Sequence, residues 1–220
     1  MPKSSEVHVS ASSDTREQIL DAAEQLIGDQ GIDRASVRAI TELAGANLAA
    51  VSYHFGSKDA LVREVFERRL RPINQERVRL LAEHLRSTDS PDLESIVRAF
   101  VLPPFGVLLG EEAANFGRCM VRVMADPGPQ MRDLLMEVFS EVMQRFVGAV
   151  QSVLPGVDPA GIFWRFHFML GSMAYTVGMR HLVPVYSRGV CDSTNVEEIG
   201  ERLVEFVTAG MRAGARGGTT

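Results

Sequence analysis

A chain of 220 residues with 45% hydrophobic content can bury one large core or two modest ones, which argues against wholesale disorder. Its formal net charge of −5 excludes a uniformly basic nucleic-acid coat but leaves room for a local cluster of cations. Two cysteines, Cys119 and Cys191, lie in no CxxC or Cys/His spacing, so neither a disulfide framework, a metal site nor any other cofactor is predicted.

Free thiols fit a reducing, cytoplasmic setting. The first dozen residues are polar and Ser-rich, with no apolar stretch of the signal-peptide kind. The most apolar region, Ile162 to Val185, is interrupted by Arg165, His167, Arg180 and His181, so no membrane span is expected.

Residues 1–13 read as a flexible arm. Thr15 and Gln18 have capping-box spacing, which predicts a first helix from about Arg16, with Ile19, Leu20, Ala23, Leu26 and Ile27 on one face. Gly31 ends it. Ser36 caps a second helix whose inward residues are expected to be Val37, Ile40 and Leu43. Gly45-Ala46-Asn47 breaks the chain, and Asn47 caps a third helix with Leu48, Val51 and Phe55 along one side. Ser57 caps a fourth, carrying Leu61, Val65, Phe66 and Leu70, then Val78, Leu81 and Leu85 beyond Pro72. Further helices are predicted over 92–108, 112–125, 129–154, 159–183 and 196–211, followed by a frayed tail at 215–220. The fold class is all-α: a small N-terminal domain over 14–60, containing the two short helices, and a larger helical bundle over 61–214.

Two short helices around a glycine break make a helix-turn-helix, whose second helix enters the DNA major groove. Such a helix needs apolar residues against its scaffold, small or polar residues facing base edges, and donors for phosphates. Val51 and Phe55 suit the first task, and Leu48, Ala49, Ala50 and Ser52 the second. Tyr53, His54, Lys58, Arg38, Ser36 and Arg16 are phosphate candidates, with Arg38 also able to reach a guanine edge. Asn47 completes the set at the helix start.

The string Tyr53-His54-Phe55-Gly56-Ser57-Lys58 resembles the Tyr-x-Phe-x-x-Lys ending of the DNA-binding domain of TetR-family transcriptional regulators. By position, Arg38, Ser52, Tyr53, His54 and Lys58 match that family's DNA-contacting sites, and Leu48 to Ala50 its variable base-reading sites. The chain departs from the commonest wording at Asn47-Leu48-Ala49-Ala50 and at Ser52. The resemblance implies a ligand-released repressor that binds double-stranded DNA as a homodimer. Its two recognition helices would lie about 34 Å apart on a pseudopalindromic operator. It also implies dimerisation through the last two helices, here Ile162–Val183 and Val196–Met211, with Phe163, Phe166, Leu170, Leu203 and Phe206 as interface candidates.

The C-terminal bundle is rich in Phe and Met. Phe100, Phe105, Phe116, Met120, Met124, Phe139, Met143, Phe168 and Met173 are candidates to line an effector pocket, with ordinary core packing as the competing role. Phe163 to Gly171 and Ala209 to Arg212, with the Asn47 and Tyr53 strings, are similar to the PsrA-like branch of the family. That similarity implies a small hydrophobic effector such as a long-chain fatty acid. Arg118, Arg122, Arg165 and His167 are then candidates for its polar end.

Competing functions are a scaffold without DNA binding, an enzyme and a cysteine redox sensor. No HExxH, GxSxG, phosphate-cradling glycine loop or paired-carboxylate motif supports catalysis.

Overall fold

The computed structural model describes residues 5–108, 114–125 and 127–214, with side chains described from Asp14 onward. The described residues are helical throughout, with no strand among them. The helices are α1 (Ser5–Gln30), α2 (Val37–Leu43), α3 (Leu48–Phe55), α4 (Lys58–Ser87), α5 (Leu93–Leu108), α6 (Ala114–Ala125), α7 (Pro129–Val153), α8 (Pro159–Met179), α9 (Val183–Tyr186) and α10 (Val196–Arg212). A 3₁₀ turn at Arg180–Leu182 links α8 to α9.

Two spans differ from expectation. Helix α1 begins at Ser5, so Thr15 and Gln18 lie inside it, and residues 5–13 are helix where an arm was expected. No Gly or Pro interrupts that stretch, and each added residue gains a backbone hydrogen bond once the helix is nucleated. Helix α8 stops at Met179 rather than running to 183. Pro184 has no N–H to offer the Arg180 carbonyl four residues back, so the chain tightens into a 3₁₀ turn first. The expected tail, and residues 112–113 of the expected sixth helix, lie outside the described residues.

The chain divides into two compact units. The first comprises residues 1–69 and 115–131, and the second 70–114 and 132–220. The first unit thus takes in most of α6, which the linear reading had placed with the effector bundle. Its core joins Ile19, Ala23 and Ile27 of α1, Ile40 of α2, Val51 of α3 and Leu61, Val65 and Phe66 of α4. Phe116 of α6 enters this core fully buried, with its ring 5.5 Å from that of Phe66. A Cβ on Gly28 would meet the Asn115 backbone oxygen at 2.7 Å, so α1 and α6 approach closely where only glycine fits.

The second unit has its own core, built on Phe100 and Phe105 of α5, Phe146 of α7, Phe166 of α8 and Val204 of α10. Phe100 meets Phe146 and Phe166 edge-on, with centroids 5.0 and 5.8 Å away. Helix α5 runs through Pro103-Pro104. The prolines leave the carbonyls of Ala99 and Phe100 without their helical donors. Arg77 of α4 supplies a donor to one of these, its Nε lying 2.8 Å from the Phe100 oxygen. None of the helices is long and apolar enough to cross a membrane, among the described residues.

Candidate DNA-reading site and effector region

The reading site is built on α2, α3 and the turn between them. Ser36 accepts from the Ala39 N–H at 3.1 Å and Asn47 from the Ala50 N–H at 2.9 Å, so both side chains serve as N-caps. Gly56 ends α3 with φ of 77°, a conformation that favours glycine. Val51 and Phe55 are buried and hold α3 on its scaffold. Leu48, Ala49, Ser52 and Tyr53 face outward, Leu48 at 60% and Tyr53 at 80% exposure, and Ala50 and His54 are half-buried. Large apolar and aromatic side chains on a capped, anchored helix are presented rather than packed.

In α2 the inward set needs correction. Ile40 is buried, but Leu43 is 48% exposed and Thr41 takes its place in the interior. The Thr41 hydroxyl bonds to the carbonyls of Val37 and Arg38, both at 3.0 Å, so it is buried without an unpaired polar atom. In α4, Leu85 is also exposed.

The cations of this region differ in freedom. Arg38 is well exposed and carries a surface ion pair with Glu42 at 2.9 Å, which water and salt readily loosen. Lys58 Nζ donates to the Ile32 carbonyl at 2.7 Å and braces the turn before α2. Arg16 pairs with Glu17 and Glu64, and its guanidinium lies 5.4 Å from the Phe55 ring centre. Its charge is engaged in holding α1 against α3 and α4. Arg34, in the turn before α2, is exposed and has no carboxylate partner among the described residues. Sequence reasoning passed over it because it lies outside both helices of the motif.

The effector candidates do not assemble into one group. Phe116, Arg118, Met120, Arg122 and Met124 all belong to the first unit through α6. Arg118 bonds to Asp29 at 2.9 Å and to Asn115, and Arg122 donates to the Asp29 carbonyl at 3.1 Å. Both therefore fasten α6 to the end of α1. Arg165 donates to the Met211 carbonyl at 3.0 Å and the Ala213 carbonyl at 2.6 Å, so it closes the C-terminus of α10. His167 is exposed beside Trp164. The remaining candidates of the second unit are Phe100, Phe105 and Met173, all buried, Phe139 and Met143, half-buried, and Phe168, exposed. An open groove of about 510 Å³ between α5 and α10 contains none of the candidates; Glu94, Arg98, Glu198, Glu201, Arg202 and Arg212 give it a charged lining.

The interface candidates split too. Phe163 and Phe206 are exposed at 59% and 67%, whereas Phe166 and Leu203 are buried in their own unit's core and Leu170 is half-buried. The exposed face of α8 also carries Trp164, Phe168 and Tyr175, with Trp164 stacked on Phe168 at 5.8 Å. The rotation of α8 against its neighbours buries Phe166 and leaves Phe163 outside, although their spacing had grouped them.

Cys119 does not suit a redox sensor. The Cys119 thiol is wholly buried, and desolvation, with Glu24 beside it, pushes its pKa up to about 12. Cys191 is exposed and free.

Residues 19–65 match the family described as bacterial regulatory proteins, tetR family. Residues 98–210, more than half of the chain, match the tetracyclin repressor-like C-terminal domain. The chain belongs to the TetR family. It is a DNA-binding transcriptional regulator of the repressor-like type, and members of this family are not enzymes. The TetR-type repressor Rv1474c of Mycobacterium tuberculosis is 43% identical over 61 residues, which span 28% of this chain and 31% of that protein. The TetR fold is also that of several solved structures. A TetR-family regulator from Bordetella parapertussis aligns with a TM-score of 0.64 at 15% identity, over 87% of this chain and 93% of that one. SmeT, the repressor of the Stenotrophomonas maltophilia multidrug efflux pump SmeDEF, aligns at 0.60 and 22%, over 90% and 91%. FadR of Bacillus halodurans, a fatty acid degradation regulator, aligns at 0.57 and 16%, over 90% and 96%.

Proposed function

We propose that this protein is a repressor that binds a pseudopalindromic operator as a homodimer and is released by a small hydrophobic effector. The observation that carries the reading is α3, where Val51 and Phe55 are buried while Leu48, Ala49, Ser52 and Tyr53 stand free to meet a groove. The exposed Arg34 and Arg38 serve as phosphate ligands, with Lys58, His54 and the capped helix ends in support. The exposed aromatics of α8 and Phe206 of α10 favour pairing of two copies through these helices. SmeT and FadR, named for an efflux pump and for fatty acid degradation, are in keeping with a hydrophobic effector, of which a long-chain fatty acid or its CoA ester is the leading class. Work on DNA favours a cytoplasmic location.

The test is fluorescence anisotropy on the DNA upstream of this protein's own gene, across a salt series. Phosphate contacts predict affinity that falls steeply with salt. Replacing Arg38 and Tyr53 together by Ala, at two exposed positions, is expected to weaken binding roughly tenfold or more and to flatten the salt slope. Salt-insensitive binding, or binding unchanged in the double variant, would sink the reading.

A further inference from the structure

Arg77 is 3% exposed in the second unit, and among the described residues no carboxylate pairs with it. Its Nε bonds to the Phe100 carbonyl at 2.8 Å and its Nη1 to Asn74 Oδ1 at 3.1 Å. Asn74, itself 6% exposed, is held by donating to the Val138 carbonyl of α7 at 2.8 Å. The guanidinium stands 3.9 Å from the Phe100 ring centre and 6.0 Å from that of Phe139. An arginine has five N–H donors. Two are used here, and Nη2 has no partner among the described residues.

Desolvation alone pushes this group's pKa down, because no nearby anion opposes it. A guanidinium nonetheless stays charged at neutral pH. Satisfying the carbonyl freed by Pro104 requires one donor, which an uncharged side chain can supply. It does not account for a full positive charge, with part of its fork unused, kept beside two aromatic rings without a counterion among the described residues.

We infer that Arg77 is the anchoring residue for the carboxylate of an apolar effector, positioned by Asn74 and the Phe100 carbonyl. The inference rests on the reading of this unit as the effector-binding part of a repressor. One guanidinium neutralises one monoanion, and the second Nη1 hydrogen and both Nη2 hydrogens remain as donors for a carboxylate. A phosphate dianion would leave a second charge unmatched, and a thioester would bring none. The nearby Phe100 and Phe139 rings favour an apolar body behind the head group. The four cations singled out from sequence are engaged elsewhere or exposed; Arg77 was overlooked because an arginine within a charged helical run looks solvated.

The experiment uses the full chain without DNA. Calorimetry compares dodecanoate, 1-dodecanol and dodecyl phosphate below their micelle concentrations. Dodecanoate is expected to bind at least about tenfold more tightly than the alcohol, and Arg77→Gln to abolish that preference while leaving the alcohol's affinity unchanged. Carboxyl-carbon NMR on the unmodified protein gives a readout that does not depend on the variant folding. Bound dodecanoate is expected to ionise at lower pH than free dodecanoate, whereas burial without a cation would raise its pKa. Equal binding of acid and alcohol, tighter binding of the phosphate, binding of none of the three, or a raised carboxyl pKa each overturns the inference. So does an unchanged preference in Arg77→Gln. Operator binding by the free protein is measured separately, so its loss would remove the repressor reading without touching this result.

Discussion

Glu24 in the first compact unit and Arg77 in the second are equally buried, at 3% exposure, yet their surroundings differ completely. Glu24 accepts from Arg68 at 2.8 Å and from Arg69 at 3.0 and 3.1 Å, so its charge is matched on two sides. Arg77 has a carbonyl, an amide and two rings, and no anion among the described residues. A matched buried charge fixes one arrangement, because removing either partner strands the other. An unmatched one leaves the arrangement open to a guest. The unit that must hold a reading helix steady has the first kind, and the unit assigned to the effector has the second.

Glu24→Gln is expected to have the largest effect, a loss of about 3 kcal/mol, because Arg68 and Arg69 lose their shared carboxylate. Urea unfolding measures it, and a loss under about 1 kcal/mol would break the comparison. Gly28→Ala should follow, at about 2 kcal/mol, since its new Cβ would press on the Asn115 backbone and push α6 from α1. An unchanged midpoint would mean that the two helices part readily. Arg77→Met should change stability by no more than about 1 kcal/mol in either direction, as the lost carbonyl bond is offset by removal of a lone buried cation. A loss as large as that of Glu24→Gln would make Arg77 a structural clamp and erase the contrast. The smallest effect concerns Cys119. With its pKa raised to about 12, it should resist alkylation in the native protein at neutral pH, while the exposed Cys191 reacts. Mass spectrometry of the alkylated peptides checks this, and equal labelling would show that the first unit opens easily.

Most helices were readable from sequence because caps and breakers mark them directly. Ser36, Asn47 and Ser57 cap the helices expected of them. The recognition helix was legible for the same reason, as its buried pair and outward residues follow one helical period. Long-range partnership was not legible. That α6 packs on α1 depends on Gly28 meeting Asn115 and Cys119 meeting Glu24, each pair some ninety positions apart, and no local pattern encodes it. The prolines of α5 were visible as punctuation, but the donor that answers the freed Phe100 carbonyl comes from α4. Aromatic richness was likewise visible in α8, whereas the division between buried Phe166 and exposed Phe163 depends on the helix's rotation against its neighbours.

Trp164 is the sole tryptophan of the chain and is 58% exposed on the aromatic face of α8, stacked against Phe168. Indole emission is therefore a private optical signal from this one surface. The protein needs no attached dye to announce whether that surface is wet or covered. A dilution series read in the fluorimeter should move from blue to red as copies separate, and an emission maximum indifferent to concentration would place the meeting surface elsewhere.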